Sequence, residues 1–379
     1  MCIPSLTIEQ LRTAEHFKYE STNKSVTYNY FVYPLVKYLI RIFPKNISPN
    51  FFNLLALIFN MIPLGVINRQ AYNDFAFKLS NSACIIFAIS HFMYLLVTNL
   101  DLSHLSGTIT SYSFIFNHWC NIFTIITLGY NLTHLFMLGM DGPISPLIFT
   151  GLYLGYYTSS YEEYITGGLH FGYFNVGVEG NLLVVILSLL AGIFGIQIYQ
   201  TQIWNFTLGE WIALATFIGS IHCVIMSLVN IYFLKGGDQV AKAFGDWLWF
   251  YNIVIGPWIL SELNWTVFSD WFWLVMLTLT MLFARQTCDM QVRTCTRQPM
   301  AYGIIVVVVN IALFILYILM ACFSLNEKQI LTVLSLCTVF MCCDSAMFVV
   351  IRTIEIIVFT RGNVCLFTRQ QAITNMEMI

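Results

Sequence analysis

The chain has 379 residues, 58% of them hydrophobic and 9% charged, with a formal net charge of −2 and a mean hydropathy of +0.74. Average soluble domains carry about 25% charged residues, so a soluble globular enzyme, a disordered chain and a disulfide-stapled secreted domain are excluded. A charge so close to zero also offers nucleic acid no electrostatic footprint. An all-α polytopic membrane protein is what the composition leaves.

Taken in chain order, the first 25 residues are polar, and no short apolar run before a small-residue cleavage site opens the chain. Residues 26–44 mix Tyr, Phe, Leu and Val with Lys37 and Arg41, the pattern of an interfacial amphipathic helix. Ser48-Pro49-Asn50 then breaks the chain. A window of about 20 apolar residues crosses the bilayer as a helix. By that measure roughly ten spans follow, near 51–68, 81–100, 114–140, 144–161, 181–199, 209–234, 247–263, 271–285, 302–323 and 330–359. The fourth and eighth are short, and the tenth is long enough to tilt or kink. The eleven cysteines sit mostly inside apolar runs and show no zinc-ligand spacing, so they read as small buried hydrophobes.

Alternating these spans puts Arg12, Lys18, Lys24, Lys37, Arg41, Lys45, Lys235, Lys242, Arg285, Arg293, Arg297, Arg361 and Arg369 on the side of both termini. Arg69, Lys78 and Lys328 fall on the other side. That asymmetry predicts an even number of spans with both termini cytoplasmic. No repeat or linker interrupts the chain. The expected organisation is one integral-membrane domain over 1–379, with an arm at 1–50, a bundle at 51–359 and a tail at 360–379.

Polar residues at membrane depth are costly and are candidate functional positions. The richest cluster runs from His91 to Asn121 and holds Asn99, Asn117, His118 and Asn121. Asn117 and Asn121 are four apart and share one helix face. From the residues alone, these amides either hydrogen-bond across helices or mark what remains of a site. Further along, Asp344, Arg352 and Glu355 lie in or near the last span, and the spacing of Arg352 and Glu355 lets them pair on one face.

Several stretches carry a resemblance. They are Leu6-Thr7-Ile8-Glu9-Gln10-Leu11 with Lys18-Tyr19, Ile47-Ser48-Pro49-Asn50 before a Leu-rich span, Glu162-Glu163-Tyr164-Ile165-Thr166-Gly167-Gly168-Leu169, and the turn after Thr287-Cys288. In order and spacing the chain resembles the CDP-alcohol phosphotransferase (phosphatidyltransferase) family, specifically its choline/ethanolamine phosphotransferase branch. The family signature D-x-x-D-G-x-x-A-R-x8-G-x-x-x-D-x-x-x-D supplies four carboxylates that hold two divalent ions against a CDP diphosphate. Laid on this chain without gaps, the four Asp positions fall on Leu96, Asn99, Asn117 and Asn121. The first Gly falls on Leu100, the Ala on Ser103, the Arg on His104 and the second Gly on Ser113. Of the branch's F-D-H, the histidine survives as His118, which the resemblance makes the general base for an incoming hydroxyl.

The resemblance implies a phospholipid-biosynthesis membrane protein whose metal site has degenerated. Mg²⁺ and Mn²⁺ prefer anionic oxygen. A carboxylate ~4 Å from a dication contributes roughly 8 kcal/mol at an effective dielectric of ~20, before desolvation. Asn forfeits most of that, and Leu96 offers no ligand. Asp101 points away on a regular helix, whereas Asp289, Glu162 and Glu179 are acids that could approach. The expectation is therefore a catalytically lapsed copy without a cofactor, acting as a lipid-binding or structural subunit. The alternative is an active transferase that uses Mg²⁺ or Mn²⁺ to move phosphocholine or phosphoethanolamine to diacylglycerol. Membrane lipids, a second copy or a larger membrane complex are the expected partners, with no nucleic acid. The resemblance implies endoplasmic reticulum or Golgi, with the mitochondrial inner membrane, both termini in the matrix, as the alternative.

Overall fold

The computed structural model describes residues 5–17, 20–43, 47, 49–73, 79–102, 110–139, 144–172, 176–323 and 325–360. Fourteen α-helices follow one another among these residues: α1 Ile8–Glu15, α2 Tyr33–Leu39, α3 Pro49–Asn73, α4 Asn81–Leu102, α5 Ser111–Leu135, α6 Ser145–Thr166, α7 Asn181–Phe194, α8 Leu208–Lys235, α9 Gly237–Asp246, α10 Leu248–Leu263, α11 Trp265–Asp270, α12 Phe272–Thr296, α13 Ile304–Cys322 and α14 Glu327–Thr360. Each of the roughly ten apolar windows coincides with one of these helices. Six of the described segments are apolar and long enough to cross a membrane: Pro49–Arg69, Asn81–Leu100, Gly177–Phe194, Leu208–Lys235, Ile304–Cys322 and Glu327–Phe359. The remaining windows correspond to α5, α6, α10 and α12; α5, α6 and α12 carry rows of buried polar residues. The chain is an all-α polytopic membrane protein.

Local chemistry sets several boundaries. Thr7 and Gln10 form a reciprocal cap on α1, and Thr207 and Glu210 do the same on α8. Helix α6 stops at Gly167, whose φ of 85° suits a residue without Cβ. The amphipathic segment expected at 26–44 is a π-helical turn, Tyr28–Val32, running into α2. Its Val32 and Val36 are buried with Phe52, Leu95 and Leu96, while Tyr30 and Tyr38 remain exposed.

Two short ladders add to the helices. Strand β1 Glu20–Asn23 pairs in parallel with β2 Gly168–Phe171, and β3 Gln202–Ile203 pairs antiparallel with β4 Phe206–Thr207. The first ties the N-terminal arm to the end of α6, a long-range pairing that local pattern does not announce.

Helix α3 packs against α4 and α5, α4 against α7, α6 against α8, and α12 against α5, α6, α10 and α14. Nearly every one of these seams holds a polar side-chain contact. Asn60 donates to the Thr124 carbonyl at 3.2 Å, His91 meets Asn181 Oδ1 at 2.9 Å, and Tyr153 meets Thr280 at 2.5 Å. Asn252 donates to Asn310 Oδ1 at 3.1 Å between α10 and α13.

One topology expectation changes. The eighth window ends at 285, which places Arg285 in a loop, but α12 continues to Thr296. Arg285 is 4% exposed, donates through Nε to Asp344 Oδ2 at 2.8 Å, and lies 3.7 Å from the centroid of the Phe348 ring. The hydropathy window closes early because Arg285, Gln286 and Asp289 lower the average, although all three are buried in protein. Arg352 and Glu355 do pair, at 2.5 Å, and Glu355 also accepts from the Leu6 amide at 3.3 Å.

Removing one member of a buried ion pair strands the other, at a cost of about 3–5 kcal/mol. Asp344→Ala should therefore destabilise the protein by that amount in SDS-titrated unfolding from mixed micelles. Replacing both partners, as in Arg285→Met with Asp344→Leu, should recover much of the loss.

Candidate functional site

The six signature positions that lie among the described residues occupy the last two turns of α4 and the first three turns of α5. On α4, Leu96 and Leu100 are buried in an apolar cluster with Val32, Val36 and Phe52. Asn99, 5% exposed, donates to the Leu95 carbonyl one turn back at 2.7 Å. On α5, Thr110 caps the helix by accepting from the Ser113 amide at 3.2 Å and donates to the Ser113 hydroxyl at 3.1 Å. Ser113 thus belongs to a helix cap. Asn121 donates to Asn117 Oδ1 at 3.2 Å, so these two amides join along one helix. Ser103 and His104 lie outside the described residues, as does the side chain of Asp101.

The acids considered as replacements are engaged elsewhere. Asp289 accepts from Arg293 at 3.2 Å and lies 3.9 Å from Arg285. Glu162 accepts from Asn230 on α8 at 2.9 Å. Glu179 accepts from the Ser25 hydroxyl at 2.5 Å and from the Thr27 amide at 3.3 Å, which anchors the N-terminal arm. Among the described residues, no group of three or more His, Cys, Asp and Glu side chains is arranged to hold a metal.

His118 is where the structure gathers chemistry. Its Nε2 lies 3.2 Å from Glu163 Oε2, with the two side chains 9% and 1% exposed. Its Nδ1 lies 2.9 Å from the Tyr156 hydroxyl, which also reaches the His118 carbonyl at 3.3 Å. The Phe114 ring covers the imidazole at a centroid distance of 4.4 Å. Tyr156 and Glu163 are seven residues apart on α6, two turns of one face, and that face meets α5. The motif stretch includes Glu163, but only the face of α6 that meets α5 shows that it, and not Glu162, approaches His118.

A neutral imidazole has one donor and one acceptor nitrogen, and here the carboxylate lies beside Nε2 and the tyrosine hydroxyl beside Nδ1. An incoming hydroxyl would meet a ring whose two nitrogens already face protein groups.

Buried polar seams and long apolar helices define an α-helical integral membrane protein. Curated relatives then connect it to a family. An uncharacterized CDP-alcohol phosphatidyltransferase class-I family protein of Schizosaccharomyces pombe is 27% identical over 206 residues, covering 52% of this chain and 53% of that protein. The choline/ethanolaminephosphotransferase of Saccharomyces cerevisiae is 26% identical over 220 residues, covering 55% and 53%. The chain spans about half the length of the curated relatives it matches. No protein-family model matches it. The similarity to the CDP-alcohol phosphotransferase family is thus carried by two relatives as well as by the motifs.

His118→Ala leaves the buried Glu163 without its contact and should cost about 3–5 kcal/mol in SDS-titrated unfolding. His118→Gln keeps a donor toward the carboxylate and should recover part of that loss.

Proposed function

We propose that this chain is a relative of the CDP-alcohol phosphotransferases that has lost metal-dependent transfer and serves as a lipid-binding or structural membrane subunit. One observation carries the reading. The four positions that the resemblance makes carboxylates are Leu96, Asn99, Asn117 and Asn121, and none bears a charge.

Phosphoryl transfer depends on clamping the charge of the diphosphate as the in-line displacement proceeds. Neutral amides give a dication little of the roughly 8 kcal/mol that each carboxylate would contribute at ~4 Å and an effective dielectric of ~20. The exchange also has a structural logic. Clustered carboxylates without metal would repel one another in a low dielectric, whereas Asn keeps the volume and the hydrogen bonding. The engagement of Asp289, Glu162 and Glu179 elsewhere supports the same reading.

The active transferase remains the second reading, because the family's histidine position is retained and a buried carboxylate orients its ring. Against it stands the hydroxyl of Tyr156 on the other nitrogen. Membrane lipids are the expected ligands, and assembly with a second copy or another membrane protein belongs to the same proposal.

Purified protein should be incubated with radiolabelled CDP-choline or CDP-ethanolamine, diacylglycerol, and Mg²⁺ or Mn²⁺. The proposal expects no labelled phospholipid above the metal-free control. Metal-dependent turnover that disappears in His118→Ala would establish the transferase instead.

A further inference from the structure

Helices α6, α8 and α12 finish beside one another, and a cavity of about 540 Å³ opens between their ends. That volume lies within the ~300–1,000 Å³ range of small-molecule sites. Lys235, Arg293 and Arg297 line it, together with Gln239 and Thr294, and among the described residues no carboxylate does. Phe17 from the end of α1 and Ile165 supply the apolar part of the wall.

The cations differ in how far they are committed. Arg293 is held by Asp289 at 3.2 Å and by the Pro299 carbonyl at 2.8 Å. Lys235 and Arg297 are exposed and form no ion pair with any described residue. A basic residue at a helix C-terminus often serves only to offset the carbonyl end. Here that work is done by other donors. The Gly167 amide bonds the Glu163 carbonyl and the Gly236 amide bonds the Tyr232 carbonyl. On α12, the Arg297 amide and the Gln298 amide both reach the Arg293 carbonyl. The two side chains are left for something outside the chain.

We infer that the cavity ringed by Lys235, Arg293 and Arg297 is a binding site for a phosphate-bearing anion. Phosphate matches a ring of cations with a free amide, Gln239, among its neighbours. Lys235 ends a segment long and apolar enough to cross a membrane, and basic pockets at such helix ends take anionic lipids. The same chemistry fits a soluble diphosphate. This inference is independent of whether the His118 site turns over, because none of the three cations pairs with the Glu163 carboxylate, whose ion-pair contact is His118.

The test uses the full chain purified in detergent. Native mass spectrometry measures retention of dioleoyl phosphatidate against dioleoyl phosphatidylcholine, and isothermal titration calorimetry measures inorganic pyrophosphate. At least one phosphate probe should bind in preference to phosphatidylcholine. The double variant Lys235→Gln with Arg297→Gln should weaken that binding about tenfold or more, and added salt should weaken it too. Lys328→Gln, which removes an exposed cation elsewhere, should bind as the parent does. Phosphatidate alone assigns the site to the bilayer, and pyrophosphate alone assigns it to a soluble ligand; either supports the inference. Absence of preferential binding by the parent, or equal binding by a double variant with unchanged thermal unfolding, would overturn it.

Discussion

The constraint on which this molecule depends is that a polar side chain on a membrane-depth helix has to find its partner inside the protein. Lipid tails supply none, and an unsatisfied group there costs several kcal/mol. Several seams meet that requirement, whereas the buried amides of Asn131 and Gln291 hold no hydrogen-bond partner among the described residues. Asn60 reaches α5, His91 reaches α7, Tyr153 reaches α12, and Arg285 reaches Asp344 on α14. Apolar side chains fill the space between these contacts but set no register of their own against lipid, since lipid is as apolar as leucine. The polar contacts are what make one arrangement of helices preferable to its neighbours.

The same constraint bears on the proposed loss of chemistry. A cluster of carboxylates is tolerable at that depth only while dications neutralise it. Once the metals go, the acids are a liability, and amides that bond along their own helices, as Asn99, Asn117 and Asn121 do, relieve it. His118 and Glu163 stand differently, because the imidazole is the ion-pair contact of a carboxylate that is otherwise buried without a hydrogen-bond partner. A pair that holds α5 to α6 has a structural reason to stay after a catalytic one has lapsed.

Much of the fold was legible because membrane helices announce themselves by composition. Every apolar window became a helix, and the spacing of Arg352 and Glu355 correctly placed them in contact. The misreadings have different causes. A hydropathy average treats a buried Arg285 or Asp289 as a loop residue, since it scores the side chain and not the partner that satisfies it. The pairing of β1 with β2 joins residues far apart in the chain and has no local signature. Glu163 was passed over because its role depends on which face of α6 meets α5, a tertiary fact. The signature positions were laid on the chain by register alone, and the described ones lie within two helices that both pack on α3.

The most direct measurement is a count of metal ions. Detergent-purified protein should be titrated with Mn²⁺ in the presence of CDP-choline, with the free ion followed by electron paramagnetic resonance. The account predicts that the free-ion signal follows the total added into the millimolar range. Two ions taken up per chain at micromolar concentration, and released when Asn117 and Asn121 are changed to Leu, would contradict it.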